Sequence, residues 1–254
     1  KSFCMKQGDW FVCLHARERG WKDNNSSAED FRNTDINTYK LALKAVTDAG
    51  GWVIRMGDPT MKPLPSMPRV IDYAHSDEKS DWMDVFLCAQ CRFFVGTSSG
   101  LFIFAMALGT PVILTNLLPT CGAYYLTSND LFIPRLCKSR EKGRFLNFVE
   151  LFSPSMGTAA VQCVYDFKDI EIMANSEEGI KDLIVEMLER CDGRLKYSED
   201  DEALQKRFKA MTADCGKGYG EENSIVNAHI GRSFLRQHAA LLSPEIKIES
   251  VIEK

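Results

Sequence analysis

The chain has 254 residues, which is more than an average domain but within the range of one large domain. Hydrophobic residues make up 45% of it and charged residues 26%, a composition typical of folded globular proteins and not of disordered chains. The formal net charge of -4 provides no overall basic field, so no nucleic-acid partner is expected, and an anionic ligand must be bound by a local site.

The cysteine pattern and the hydropathy indicate in which cellular compartment the chain is found. Nine cysteines are scattered through apolar segments, which predicts reduced thiols rather than a disulfide framework. Cys88 and Cys91 have the spacing of a zinc or redox pair, but no second pair accompanies them, so we expect core side chains and no metal site. No stretch has the ~20 apolar residues that span a bilayer. These features predict a cytoplasmic chain without a transmembrane segment, with peripheral attachment at the inner membrane left open.

The first 115 residues alternate between short apolar runs and helical patterns. Strands are predicted at residues 10–15, 52–56, 70–73, 93–96 and 111–114, and helices at 35–50, 80–90 and 101–108. This alternation predicts βαβ units, and strands without polar alternation indicate a parallel sheet that is covered on both faces. We therefore predict an α/β fold, a Rossmann-like parallel sheet flanked by helices.

Beyond residue 115 the pattern is looser. It predicts a strand at 130–136, a charged loop at 138–144, and helices at 176–191, 199–213 and about 224–242. The expected organisation is a Rossmann-like core over residues 1–175, with residues 176–254 as a C-terminal helical segment packed on the same domain.

The turn after the predicted fourth strand carries the most informative pattern. Thr97, Ser98 and Ser99 follow the strand directly, and Gly100 opens the next helix. Free backbone N–H groups and the positive end of the helix dipole would then point to one place, as in phosphate sites. The hydroxyl groups add donors, and glycine lets a ligand approach the backbone closely. The sequence predicts a phosphate site over these four residues, with a plain helix cap as the alternative.

Charged residues also end or follow the first three predicted strands: His15, Arg17, Glu18, Arg55, Asp58 and Asp72. The carboxyl ends of parallel strands meet at one edge of the sheet, where open α/β sheets bind ligands. Arg17 is placed for bidentate contact with a diphosphate. A solvated charged loop is the alternative interpretation of the segment that contains it.

These segments, taken in order, resemble the carboxyl-terminal lobe of GT-B glycosyltransferases. Heptosyltransferases show a similar succession of an acid-ended strand, a helix, a "GxDSG" turn and an "ALGxPV" strand entry, and His15-Ala16-Arg17 resembles the H-x-R motif of fucosyltransferase-like enzymes. The whole chain is most similar to a family of bacterial glycosyltransferases of surface-polysaccharide loci. The matching segments span most of residues 10–240: His15–Gly20, Arg55–Asp58, Asp72–Ala74, Gly96–Gly100, Thr115–Pro119 and Glu222–Leu235.

The resemblance has two departures that limit what it implies. Ser98 stands where the heptosyltransferase turn has an acidic residue, so the sugar contact of that acid is not carried over. Glu18 follows Arg17 directly, whereas the fucosyltransferase motif has an aspartate after H-x-R.

The resemblance implies a metal-independent enzyme that transfers a sugar from a nucleotide diphosphate sugar to a glycan or lipid-linked acceptor in surface polysaccharide biosynthesis, with no further cofactor. Arg17 and the Thr97–Gly100 turn would bind the departing diphosphate, and Arg55 is a further candidate cation for the same group. Asp72 would contact the base or ribose. His15 or Glu18 is the candidate general base. An amino-terminal GT-B lobe is expected from the full-length chain or a partner. The alternatives are a non-catalytic nucleotide-sugar or phosphate-binding module and a sugar-nucleotide epimerase.

Overall fold

The structure is a computed structural model that describes residues 5–18, 27–217 and 225–243. Its strands, in chain order, are β1 (Phe11–His15), β2 (Trp52–Arg55), β3 (Val70–Ile71), β4 (Phe94–Gly96), β5 (Val112–Leu117), β6 (Leu131–Pro134), β7 (Leu136–Ser139), β8 (Arg144–Phe145), β9 (Ile170–Met173) and β10 (His229–Ile230).

The α-helices of the described residues are α1 (Lys40–Asp48), α2 (Asp81–Gln90), α3 (Gly100–Ala107), α4 (Phe148–Phe152), α5 (Pro154–Gly157), α6 (Gln162–Phe167), α7 (Glu177–Cys191), α8 (Glu199–Gly216) and α9 (Arg232–Gln237). Short 3-10 helices add Ser27–Arg32, Ile36–Tyr39, Tyr73–His75, Thr120–Tyr125 and Ala239–Leu242.

Seven strands form one parallel sheet in the order β3-β2-β1-β4-β5-β6-β10. All six residues of β5 and all four of β6 are buried, as expected for central strands of a sheet that is covered on both faces. The predicted fold class, an α/β Rossmann-like sheet flanked by helices, is confirmed. The strands β8, β7 and β9 form a separate antiparallel sheet.

The strand order reverses next to β1. The chain first moves outward from β1 to β2 and β3, and then returns to place β4 on the other side of β1. Cys13 of β1 is therefore in register with both Ile54 of β2 and Phe94 of β4. The crevice beyond the carboxyl ends of β1 and β4 is the topological switch point, where open α/β sheets bind ligands.

The helices cover the two faces of the main sheet unequally. Helix α7 packs along α1 and reaches β5 and β6, whereas α2 and α3 contact each other. Right-handed crossovers place α1 on one face of the sheet, and α2 and α3 on the opposite face. The hydrophobic core continues from β6 into α4 and α8, where the ring centroids of Phe148 and Phe208 are 5.1 Å apart and those of Phe152 and Phe208 are 5.4 Å apart.

Two of the predicted elements are wrong. The single helix predicted at about 224–242 is instead a strand, β10, followed by the short helix α9 and a 3-10 turn; residues 222–224 lie outside the described residues. Val226, Ala228 and Ile230 are buried in alternation with less buried neighbours, which is the period of a strand and not of a helix. The predicted charged loop at 138–144 contains a hairpin of β7 and β8, and Gly143 adopts a φ of 65° in its turn.

Candidate functional site

Hydrogen bonds join the end of β1 to the turn after β4. The backbone N–H of Thr97 donates to the carbonyl oxygen of His15 at 3.2 Å, and the backbone N–H of Arg17 donates to Thr97 Oγ1 at 3.0 Å. Ser99 Oγ lies 2.9 Å from His15 Nδ1. The two segments that the sequence singles out therefore lie side by side, and they do so at the switch point.

The amino-terminal end of α3 has features of an anion site. Ser99 is its N-cap residue in an extended conformation, yet its side chain makes no capping hydrogen bond. Its hydroxyl group is engaged with His15, so it leaves the first N–H groups of α3 without a partner from the cap. A Cβ atom on Gly100 would meet nothing within 4 Å, so the space beside its Cα atom is open.

The 3-10 helix Ser27–Arg32 holds the turn from the other side. Arg32 donates from Nε and Nη2 to the carbonyl oxygen of Ser98, at 3.0 and 2.6 Å. No motif in the sequence singles out this arginine. Its contact with Ser98 orients the turn that follows β4.

The side chain of Arg17 is already paired. Its guanidinium forms a salt bridge with Glu29 and also donates to the carbonyl oxygen of Glu29 at 3.0 Å and to Asn33 Oδ1 at 3.4 Å. The pair is accessible to solvent, because the side chains of Arg17 and Glu29 are 22% and 47% exposed. A ligand anion would therefore compete with Glu29 for this guanidinium.

A second group of candidates forms a chain of ion pairs beyond β2 and β3. Arg55 is completely buried, donates to Asp72 Oδ1 at 2.9 Å and lies 3.9 Å from Glu18 Oε2. Asp72 Oδ2 lies 3.1 Å from His75 Nδ1, and Glu18 Oε2 accepts from the backbone N–H of Lys62 at 2.8 Å. The three predicted site residues Glu18, Arg55 and Asp72 therefore have structural partners at the carboxyl-end edge of the main sheet.

Asp58 stands apart from both groups. Its Oδ1 accepts hydrogen bonds from the backbone N–H of Thr60, at 2.9 Å, and from the hydroxyl group of Thr60. The Asp58 side chain thus closes its own turn. Its negative charge also favours the protonated form of His15 and so raises the pKa of that imidazole.

Burial controls the charge state of His15. Desolvation lowers its pKa from 6.5 to about 4, helped by the positive charges of Arg55 and Arg17 and opposed by Asp58. The imidazole is therefore neutral at pH 7. A general base works best with a pKa near the working pH, so in this state His15 is a weak base.

Unsatisfied polar atoms concentrate at this edge. Six buried side-chain nitrogen or oxygen atoms of the described residues have no hydrogen-bond partner, and one belongs to Gln205 of α8. The other five belong to residues within three positions of the carboxyl ends of β1, β2, β4, β5 and β6: Glu18, Arg55, Ser98, Asn116 and Arg135. Buried polar groups are normally hydrogen-bonded, so this clustering points to a polar ligand or bound water at the edge.

Sequence reasoning missed the contribution of β5 and β6 to this edge. Arg135 is 6% exposed and donates from Nη2 to the carbonyl oxygen of Asn33 at 2.6 Å and to Thr34 Oγ1 at 3.0 Å. The Tyr39 hydroxyl lies 2.6 Å from Thr115 Oγ1 in the same region. The only signal in the sequence is that Arg135 is the penultimate residue of a predicted strand, as Arg55 is.

A groove of about 780 Å³ lies between β7, α4 and α6, and none of the predicted site residues lines it. The candidate site therefore rests on strand topology, the free helix end and the unsatisfied atoms.

Comparison with protein-family models, curated proteins and solved structures finds no match for this chain. Within the described residues, no three His, Cys, Asp or Glu side chains are grouped so that they could hold a metal ion. No helix of the same residues combines the length and apolarity needed to cross a membrane.

Proposed function

We propose that this chain is the donor-binding domain of a glycosyltransferase of GT-B type, which binds a nucleotide diphosphate sugar at the carboxyl edge of β1 and β4. The observation that carries the proposal is the coincidence of three features at one place. The strand order reverses there, the uncapped end of α3 begins there, and the hydroxyl of Ser98 is buried there without a partner.

In this proposal the diphosphate lies against the first turn of α3. The free N–H groups and the helix dipole stabilise its negative charge, and each hydrogen bond to a charged group contributes about 1.5–3 kcal/mol. The same groups stabilise the charge that develops on the diphosphate as the sugar leaves, so they act in catalysis as well as in binding. The open space in front of Gly100 accommodates a phosphate oxygen.

Arg17 would exchange Glu29 for the diphosphate. Salt bridges that are exposed to solvent contribute only about 0–1 kcal/mol, so giving up this pair costs little. A diphosphate offers more charge than one carboxylate, together with several acceptor oxygens for a planar guanidinium. Arg17 is for this reason the arginine assigned to the donor.

Neither candidate general base is well suited to activate an acceptor. His15 has a pKa of about 4, and Glu18 is engaged with Lys62 and Arg55. We therefore assign the activation of a glycan or lipid-linked acceptor, in surface polysaccharide biosynthesis, to an amino-terminal lobe of the full-length chain or a partner. The same observation favours one second candidate, a nucleotide-sugar-binding module without catalysis.

Calorimetric titration with UDP, GDP and ADP tests the binding step. We expect at least one of them to bind, and Arg17→Ala to weaken that binding at least tenfold, the equivalent of about 1.4 kcal/mol. Arg140→Ala is the matched control, because Arg140 is also an arginine in an exposed ion pair, with Asp169, next to the separate antiparallel sheet. Absence of binding by all three nucleotides, or equal affinity of the Arg17 and Arg140 variants, would contradict the proposal.

Donor turnover then separates the two candidates. The protein with its amino-terminal lobe is supplied with nucleotide diphosphate sugars and a glycan acceptor, and released nucleoside diphosphate and glycosylated product are measured. Product formation supports a transferase. Tight donor binding without any turnover supports the binding module.

A further inference from the structure

Helices α2 and α3 expose a set of large apolar side chains on their outer surfaces. The exposed fractions range from 43% to 68% for six of them, Trp82, Val85, Phe86, Ile103, Phe104 and Leu108. We call this set the α2/α3 face. The two helices contact each other, so the six side chains lie on one side of the molecule.

Helix α3 is apolar on its inner and outer sides, and α2 adds exposed aromatic side chains. Leu87 of α2 and Ala105 of α3 face the core, while Asp81 of α2 is exposed beside Trp82. The rings of Trp82 and Phe86 stack on each other with centroids 5.3 Å apart and planes at 9°, which forms a flat aromatic surface in solvent. Helices that are hydrophobic all round are normally covered by protein or lipid.

The apolar area of the α2/α3 face matches the apolar area that one subunit buries in a protein dimer. At about 200 Å² for each large side chain, the six exposed fractions leave about 600 Å² of apolar surface in contact with water. The largest apolar patches of ordinary monomers are about 300–600 Å². A standard interface buries about 800 Å² on each partner, of which about 65% is apolar in homodimers.

The charges around the face favour a protein over a lipid surface. Helix α2 contains Asp81 and Asp84 and no lysine or arginine, and α3 contains no charged residue at all. Surfaces that bind anionic membranes carry lysine and arginine around their apolar side chains. The apolar side chains of the face can meet a copy of themselves, because α3 brings no charged residue into the contact and Asp84 of α2 is paired with Lys79.

We propose that the α2/α3 face is the interface of a homodimer with twofold symmetry. Such dimers are the most common protein oligomers, and their interfaces are more apolar than those of transient complexes. Helix α3 begins at Gly100, so the interface also supports the helix whose first turn forms the candidate site. The dimer does not depend on the proposed function, because it involves none of the candidate site residues.

Sedimentation velocity of the 254-residue chain over a wide range of concentration tests this proposal. We expect a species of twice the 28.7 kDa chain mass that dissociates on dilution. Phe104→Glu and Trp82→Glu should each raise the dimer dissociation constant by at least about thirtyfold, as expected for aromatic residues at the centre of an interface. Phe167→Glu is the matched control, because Phe167 is 92% exposed at the end of α6 and outside the α2/α3 face.

Three results would overturn the proposal. One is a monomer at every concentration, and another is a dimer that Phe167→Glu weakens as much as Phe104→Glu does. The third is a monomer that sediments with phosphatidylcholine or phosphatidylglycerol vesicles and loses this binding in the Phe104 variant, which would assign the face to a membrane. Circular dichroism of each variant checks that the exposed substitutions leave the fold intact.

Discussion

Acidification from pH 6.5 to about 4 should destabilise the fold through His15. This imidazole is buried at the end of β1 and its pKa is lowered from 6.5 to about 4, first by desolvation and then by the charges of Arg55 and Arg17. Between these two pH values the unfolded chain binds a proton at this position, whereas the folded chain does not. Stability is therefore complete above pH 6.5 and falls as the pH is lowered towards 4.

The magnitude follows from the difference between the two pKa values. Each unit corresponds to 1.36 kcal/mol, so a shift from 6.5 to about 4 corresponds to about 3 kcal/mol of unfolding free energy. His229 contributes to the same pH window, because desolvation, Lys209 and Arg190 lower its pKa to about 4 as well. The wild-type slope alone cannot assign the effect, so the comparison must be made with variants.

Urea unfolding at a series of pH values, for the wild type and for His15→Asn, measures the contribution. Asparagine retains a polar group near Ser99 and does not titrate, so the variant should lose about 3 kcal/mol of the pH-dependent change between pH 7 and 4. His229→Asn should remove its own part independently. An unchanged pH dependence in His15→Asn would refute the assignment of a buried, neutral imidazole.

Three further predictions follow from the site. Gly100→Ala should change the unfolding free energy by less than about 1 kcal/mol, because its Cβ meets nothing within 4 Å. The same variant should weaken nucleoside diphosphate binding at least tenfold by calorimetry. Gly96→Ala, whose Cβ would lie 2.8 Å from a phenylalanine ring, should instead unfold more easily. Arg55→Met should cost about 3–5 kcal/mol in urea unfolding, since Glu18 and Asp72 lose their buried partner; a loss below about 1 kcal/mol would contradict that structural role. Residues 1–254 alone should bind nucleotide but transfer sugar poorly, and an added amino-terminal lobe should restore turnover; efficient transfer by these residues as a monomer would exclude the two-lobe interpretation.

The first half of the fold could be predicted because its signals are local. Each strand from β1 to β5 is a short apolar run, and residues such as Gly50 and Gly109, with positive φ, end the helices between them. The order of the strands has no such local signal. That β1 lies between β2 and β4 depends on how the crossovers pack, and the sequence alone leaves it open.

In the C-terminal part, the hydrophobic periodicity of the sequence does not separate a strand from the helix that follows it. The alternation of Val226, Ala228 and Ile230 marks β10, but the apolar residues of α9 that follow it extend the same run into an apparent helix. Only residues 231–233 separate the apolar residues of β10 from those of α9, so the two patterns of different period merge into one apparent helical pattern. Gly231 is the local marker of this boundary, since a Cβ there would lie 2.7 Å from Leu183.

The meeting of these strand ends could be predicted from the sequence, but the side-chain pairings could not. Thr97–Gly100 follows one strand and Arg17 lies two residues after another, and the structure places the two segments together. The partners of the arginines come from distant segments, such as Glu29 for Arg17 and Asp72 for Arg55. An ion pair depends on side-chain geometry after folding, so neither pairing has a pattern in the sequence.

The unequal burial of the arginines indicates which of them a ligand can use. Arg55 is fully buried between two carboxylates, so recruiting it would leave buried charges unpaired, at a cost of several kcal/mol. Arg135 has no carboxylate within ion-pair distance among the described residues, and it directly follows β6, whose backbone lies two strand spacings, about 10 Å, from β4. At an effective dielectric constant of about 20, a unit charge at about 10 Å attracts a unit anion by about 1–2 kcal/mol. In the proposed site, direct contact with an anion is therefore assigned to Arg17 and the turn after β4, and Arg135 would add a positive charge in a chain whose net charge is -4.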